Sequence, residues 1–92
     1  MAAFIITRIQ VGEYDTWRPM FDQDRPRARE HAKVQRVFRG VDDPNQVFIV
    51  LEFESVDDAQ EAQRRLVASG VLDRFEDKHG PNLVVDADRT AP

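Results

Sequence analysis

The chain has 92 residues, the size of one small domain, and its 13 Lys+Arg against 17 Asp+Glu give a net charge of −4. Acidic chains without a basic stripe bind phosphate backbones and anionic lipid poorly, so we expect neither nucleic acid nor a membrane as a partner. The absence of cysteine excludes disulfides and thiolate metal sites, and it favours a cytoplasmic location.

The chain begins with a predicted strand. Its first ten residues hold a short apolar run but no basic leader, so they predict a strand over Ala3–Ile9 and not a signal peptide. Alternation divides this strand into two faces that are both mostly apolar, with Thr7 and Arg8 as the exceptions. A strand of this kind has to be covered on both sides.

A helix is predicted next, because apolar residues recur at helical spacing after Asp15. Asp15 suits the N-cap, which puts Pro19 in the first turn, where backbone N–H groups lack helical partners. Pro26, further along the predicted helix, has no backbone N–H to donate, so we expect a kink or a break there. A second short helical piece then extends to about His31.

The middle of the chain predicts an antiparallel hairpin followed by a second helix. Strands over Lys33–Gly40 and Gln46–Glu54 flank the turn-forming sequence VDDPN. Ser55 forms a capping box with Asp58 three residues later and so starts the second helix. Gly70 is the expected C-terminal end of that helix.

The C-terminal part predicts a short third helix, which ends near His79, and a last strand over Pro81–Ala87. We expect residues 1–87 to form a single α+β domain and residues 88–92 to be a flexible tail. The elements then follow the order β-α-β-β-α-β with a small helix before the last strand. This is a ferredoxin-like arrangement with a four-stranded antiparallel sheet.

The strand pattern also predicts a homodimer. Helices cover only one face of a ferredoxin-like sheet, yet several of these strands are apolar on both faces. A second copy of the same sheet is the simplest cover for the open side. The pattern therefore predicts two copies packed face to face.

Three segments resemble a known superfamily: VGEYDTWRPMFD, RVFRGVDDPNQVFIVLEFESVDDAQ and LDRFEDKHGPN. With the order of elements, they are similar to the dimeric α+β barrel superfamily, which includes the antibiotic-biosynthesis monooxygenase-like proteins. Within it they most resemble a branch of small, mostly uncharacterised bacterial proteins, over about Ile5 to Val85. The resemblance implies the barrel fold and the dimer. It implies no single activity, since the superfamily hosts oxygenases, cyclases, haem-degrading enzymes and ligand-sensing modules.

The candidate ligand-pocket residues are aromatic or basic. Trp17 and Phe21 lie four residues apart on one helix face, which favours core positions and also suits the wall of a pocket for an aromatic ligand. Phe75 is expected on the short third helix. Arg36 interrupts an apolar strand face, so it lies at a sheet edge or orients an anionic or enol substrate. We expect any cavity between the first helix, the third helix and the inner sheet face.

The candidate catalytic residues are His31, His79 and Asp24. Histidine titrates near cytoplasmic pH and serves as a general base, but both histidines also fit the C-terminal ends of helices, where a cation suits the helix dipole. Asp24 falls at the edge of the apolar stripe of the first helix. There it acts as a base or forms one side of a salt bridge. The arginines considered as its partner are Arg8, Arg27 and Arg36.

Two kinds of function stay open. The sequence contains no dinucleotide fingerprint, phosphate-binding glycine loop or nucleophile elbow, and two histidines make no metal-ligand motif, so we expect no cofactor and no metal. One function is a cofactor-independent enzyme, namely a monooxygenase, cyclase or isomerase, acting on an aromatic or polyketide-like small molecule. The other is a non-catalytic module for small-molecule binding or dimerisation.

Overall fold

The protein is a four-stranded antiparallel sheet with its helices packed on one face. The computed structural model describes residues 1–24 and 27–87. The elements are β1 (Ala3–Gln10), α1 (Tyr14–Asp22), β2 (Val34–Arg39), β3 (Gln46–Phe53), α2 (Val56–Ser69), a 3-10 helix (Val71–Arg74) and β4 (Lys78–Val85). Their order, with the strands arranged β2-β3-β1-β4, confirms the predicted ferredoxin-like fold. The kink or break predicted at Pro26 and the tail predicted over 88–92 lie outside the described residues.

A distant loop caps the start of α1. The N-cap is Glu13, whose side chain makes no capping hydrogen bond. Instead, the Tyr14 backbone N–H donates to Oδ1 of Asn45, in the loop between β2 and β3, at 3.0 Å. The prediction of Asp15 as the N-cap is therefore wrong, because a contact from another part of the chain satisfies the first turn.

The first helix is also shorter than predicted. It ends at Asp22, and residues 28–31 form turns, so His31 does not end a helix. Because the helix starts earlier than expected, Pro19 lies beyond the first turn and removes one internal hydrogen bond.

The last strand starts earlier than predicted. The 3-10 helix ends at Arg74, and β4 begins at Lys78, so His79 is a strand residue and does not end a helix. Pairing with β1 continues past an irregularity in the register, which brings Ile9 opposite Lys78 and Arg8 opposite His79. As an edge strand, β4 can accommodate its proline, since one side of the strand needs no partner.

The core lies between the helices and the facing side of the two central strands, β1 and β3. Alternate residues of both strands are buried on this side. The largest fully enclosed side chains are Phe53, Ile5, Ile9 and Val47. The helices contribute Trp17, Ala59, Ala62 and Leu72.

The opposite side of the sheet carries apolar side chains that remain accessible. Ile6 is 41% exposed, Val34 43% and Phe38 40%. The strand register places seven apolar side chains on this side: Phe4, Ile6, Val34, Phe38, Phe48, Val50 and Val84. We call this surface the open face. The prediction that the strands are apolar on both sides is confirmed.

Gly70 ends α2 in the left-handed conformation, with φ 72°, and its N–H donates to the Val67 carbonyl at 3.2 Å. We expect Gly70→Ala to lower the free energy of unfolding by about 1 kcal/mol, because an L-residue is strained at this φ. Gly12→Ala is the matched control, since a methyl group there meets open space. Urea unfolding of both variants measures the difference, and equal losses would contradict the prediction.

Candidate functional site

A cavity of about 500 Å³ lies between the sheet, α1 and the 3-10 helix. Its size is within the range of small-molecule sites, about 300–1,000 Å³. Apolar side chains from all the surrounding elements make most of its wall: Ile9, Trp17, Met20, Phe21, Ile49, Leu51, Leu66, Val71, Leu72 and Phe75. This is the place where the sequence predicts a cavity.

The α1 side of the cavity is an aromatic wall. The rings of Trp17 and Phe21 are stacked, with centroids 4.9 Å apart, and Tyr14 lies 5.7 Å from Trp17 on the other side. Arg18 holds Tyr14 in place by donating to its hydroxyl at 2.9 Å. This bond and the one to Asp22 raise the pKa of the Arg18 guanidinium. Trp17 and Phe21 thus serve both as core residues and as cavity wall, so the two interpretations are compatible.

Thr7 is the polar residue on the sheet side of the cavity, where its β1 neighbour Ile9 and its cross-strand partner Ile49 also line the wall. It is only 3% exposed. Its hydroxyl makes no hydrogen bond to any residue in the described ranges. In those ranges, no side-chain nitrogen or oxygen sealed from solvent lacks a partner. The Thr7 oxygen therefore opens into the cavity.

An ion pair of Asp24 and Arg29 borders the same cavity. Arg29 Nε lies 3.5 Å from Asp24 Oδ1, and the Arg29 backbone N–H donates to Asp24 Oδ2 at 3.2 Å. The guanidinium stacks on the Phe21 ring, with 3.7 Å from Cζ to the centroid, and also bonds the Phe21 carbonyl and Gln35. The Arg29 side chain is 11% exposed and that of Asp24 24%, so the pair is held in a fixed arrangement at the cavity wall.

The salt-bridge interpretation of Asp24 is confirmed, but its predicted partners are wrong. Its partner is Arg29, five residues along, and not Arg8, Arg27 or Arg36. The reason is that the chain turns after α1, and Asp24 itself adopts a left-handed φ of 44°, which aspartate accepts more readily than most residues.

Arg74 is the third charged residue of the cavity wall, at the end of the 3-10 helix. Its Nη1 lies 3.7 Å from Met20 Sδ, and a thioether is a weak acceptor. Among the residues that the structure describes, no carboxylate lies within salt-bridge distance of its guanidinium. Arg74 is therefore available to an acidic group from outside.

Three of the predicted site residues lie away from this cavity. His31 borders a separate void of about 10 Å³ next to α2. His79 is exposed on β4, opposite Arg8. Arg36 lies on the open face, where its guanidinium stacks on Phe38 at 4.7 Å. Trp17, Phe21, Phe75 and Asp24 are the predicted residues that the fold brings together.

Sequence reasoning missed Thr7, Arg29 and Arg74 as cavity residues. Thr7 gave a signal, because it interrupts the apolar side of β1. The positions of Arg29 and Arg74 depend on where α1 and the 3-10 helix end, which the sequence pattern placed too far along the chain.

Within residues 1–24 and 27–87, no three His, Asp or Glu side chains are grouped so that they could hold a metal ion. No helix there combines the length and the apolar character needed to cross a membrane.

The fold is shared with proteins of known structure. Rv0793 from Mycobacterium tuberculosis superposes with a TM-score of 0.68 and 11% identity, over 99% of this chain and 100% of that chain. SnoaB from Streptomyces nogalater, a cofactor-independent oxygenase solved as a mutant, superposes with a TM-score of 0.67 and 12% identity. The match covers 99% of this chain and 97% of SnoaB. A candidate antibiotic biosynthesis monooxygenase from Chloroflexus aurantiacus J-10-fl has a TM-score of 0.61 and 11% identity, over 99% of this chain and 98% of that chain. The chain shares its fold with these three proteins.

The predicted resemblance to this superfamily is thus confirmed at the level of the fold. No protein-family model matches the sequence, and no curated protein matches it either. Because one fold hosts many activities, identities of 11–12% carry no activity over to this chain. What this chain does therefore depends on the residues of its own cavity.

Proposed function

We propose that this chain is a small cofactor-independent enzyme that acts on an aromatic or polyketide-like molecule bound in the cavity beside α1. The observation that carries the proposal is a carboxylate, that of Asp24, held in the wall of an otherwise mostly apolar cavity next to the stacked rings of Trp17 and Phe21. The fold shared with SnoaB, a cofactor-independent oxygenase, is a second support.

The cavity residues divide into binding and proton-transfer groups. A flat ring would stack on Trp17 and Phe21, and Phe75 would contact it from the side of the 3-10 helix. Asp24 would accept a proton from an acidic hydroxyl or C–H group of that ring system. Arg29 would stabilise the anion that is left, because its guanidinium is fixed 3.5 Å from the carboxylate. Oxygenation, cyclisation and isomerisation can all begin from such an anion.

A second candidate is a non-catalytic module that binds the same class of molecule. Two observations favour it: Asp24 is already bonded to the side chain and the backbone of Arg29, and neither His31 nor His79 lines the cavity. Such a module would hold its ligand in the same place and release it unchanged.

Asp24→Asn separates the two functions. We expect it to lower the turnover of a substrate at least about 100-fold, which is the smallest usual contribution of a general base. The affinity for that substrate, measured by quenching of Trp17 fluorescence, should change much less. The assay screens two- and three-ring phenols and 1,3-diketones in air-saturated buffer, with oxygen uptake and product mass as readouts.

Asp22→Asn is the matched control, since Asp22 is exposed on α1 and pairs with Arg18 away from the cavity. Its turnover should equal that of the wild type. If the panel binds and no compound is converted, the binding module is the function. If no compound binds, both candidates are wrong.

We also propose that the chain forms a homodimer through the open face. The exposed Ile6, Val34 and Phe38 give this surface an apolar centre. It also carries charges of both signs, Arg36 and Glu52, on neighbouring strands. A two-fold interface brings the same patch of both copies together, so a patch with both charges can be complementary to itself.

A further inference from the structure

We propose that the cavity selects flat aromatic molecules that carry both an anionic group and a neutral oxygen. The neutral oxygen meets the Thr7 hydroxyl at the sheet, and the anionic group pairs with Arg74. The inference rests on the proposed function and names the ligand class of that same site.

The Thr7 hydroxyl is the first part of the argument. Thr7 is 3% exposed and lines the cavity, and its hydroxyl has no hydrogen-bond partner among the described residues. A polar group in an apolar wall is best satisfied by a hydrogen bond, so a ligand that supplies a partner to this hydroxyl gains affinity over one that does not. A hydroxyl both donates and accepts, and therefore a carbonyl, ether or hydroxyl oxygen on the ligand would satisfy it.

The charge of the cavity wall is the second part. Its ionisable residues are Arg29, Arg74 and Asp24, which give a net charge of +1 in a chain whose net charge is −4. Arg29 is already bonded to Asp24 and Gln35. Arg74 has the Met20 sulfur as its contact and no carboxylate partner in the described chain. A guanidinium in this state favours a carboxylate or another planar anion.

The rest of the cavity wall favours an apolar and flat body. Trp17 and Phe21 offer stacked rings, and Ile9, Ile49 and Leu72 add aliphatic wall. A ligand that is polar along its whole length would lose its hydration here without new hydrogen bonds. A ligand that is apolar throughout would leave the Thr7 hydroxyl and Arg74 unused.

Calorimetric titration with three related naphthalenes tests the inference. The full probe is 6-hydroxy-2-naphthoate, whose carboxylate and hydroxyl lie at opposite ends of a two-ring body. The partial probes are 2-naphthoate, which lacks the hydroxyl, and 2-naphthol, which lacks the carboxylate. We expect the wild type to bind the full probe about tenfold more tightly than either partial probe, as one added hydrogen bond or charge-assisted pair would give.

Two variants assign the ends of the probe. Arg74→Gln should weaken both carboxylate probes about tenfold and leave 2-naphthol unchanged. Thr7→Val should weaken both hydroxylated probes and leave 2-naphthoate unchanged. Thr7→Val keeps the shape of the side chain and removes a hydroxyl that has no partner in the described part of the chain, so the midpoint of thermal unfolding of this variant should not fall. The control is Arg64→Gln, an exposed arginine of α2 outside the cavity wall, which should change no affinity.

The outcomes separate this inference from the proposed function. Equal affinity for the three probes, or equal effects of a variant on all three, overturns the inference and leaves an aromatic-binding cavity in place. Failure of all three probes to bind the wild type also overturns the inference. The proposed function fails with it only if the panel of phenols and diketones does not bind either.

Discussion

Ile6→Glu is expected to convert the protein from a dimer to a monomer. Ile6 lies on the central strand β1, in the middle of the open face, and is 41% exposed in the single chain. In a two-fold interface the substitution occurs twice, which would bury two carboxylates without partners. Each unpaired buried charge costs several kcal/mol, so the dimer should weaken at least about 1,000-fold. Sedimentation velocity at micromolar concentration measures the change.

Val67→Glu is the control for this experiment. It introduces the same charge at a position that is 60% exposed on α2, in the layer on the other side of the sheet. This variant should remain dimeric. A wild-type protein that sediments as a stable, folded monomer at micromolar concentration would show that the dimer proposal is wrong, and so would a dimeric Ile6→Glu variant.

Replacing Phe53 by alanine should lower the free energy of unfolding by about 3–5 kcal/mol. Phe53 ends β3 with 0% exposure and packs where Ala28 and Ala62 also border a small void. The truncation loses the transfer free energy of the ring and enlarges the void, since small neighbours cannot move in to fill it. For a small domain this is a large share of a total stability of about 5–15 kcal/mol. Urea unfolding gives the loss directly.

Phe38→Ala is the matched truncation on the open face, where the ring is 40% exposed. In the single chain it should cost about 1–2 kcal/mol, less than Phe53→Ala, because the ring is only partly buried there. If the open face forms a dimer, this cost should grow with protein concentration, since the lost contacts are between copies. The loss caused by Phe53→Ala should not depend on concentration. Equal losses for the two truncations in dilute solution would contradict the assignment of the core.

The cavity and the open face lie on opposite sides of the sheet, which makes the two proposals compatible. A dimer through the open face would leave both cavities accessible, because their walls come from α1, the 3-10 helix and the core side of β1 and β3.

The sequence by itself determined the features that depend on near neighbours in the chain. The alternation of side chains in QVFIVLEF predicted which residues of β3 share a face, and every second residue from Val47 to Phe53 is buried. The cap of α2 was equally visible, since the Asp58 N–H donates to the Ser55 hydroxyl at 3.1 Å. Gly70 ends the same helix as predicted. In these cases the pattern or the partner lies within a few residues, so local preference is enough to decide the structure.

Only the tertiary structure decided the features that join distant parts of the chain. Asn45 caps α1 from another loop, and pairing with β1 extends β4 back to Lys78. The candidate site depends on such contacts too: Asp24 meets Arg29 because α1 ends early, and the Thr7 hydroxyl lies in a mostly apolar wall without a partner among the described residues. No local preference specifies these neighbours. They follow from how the elements pack, which single residues and their spacing do not encode.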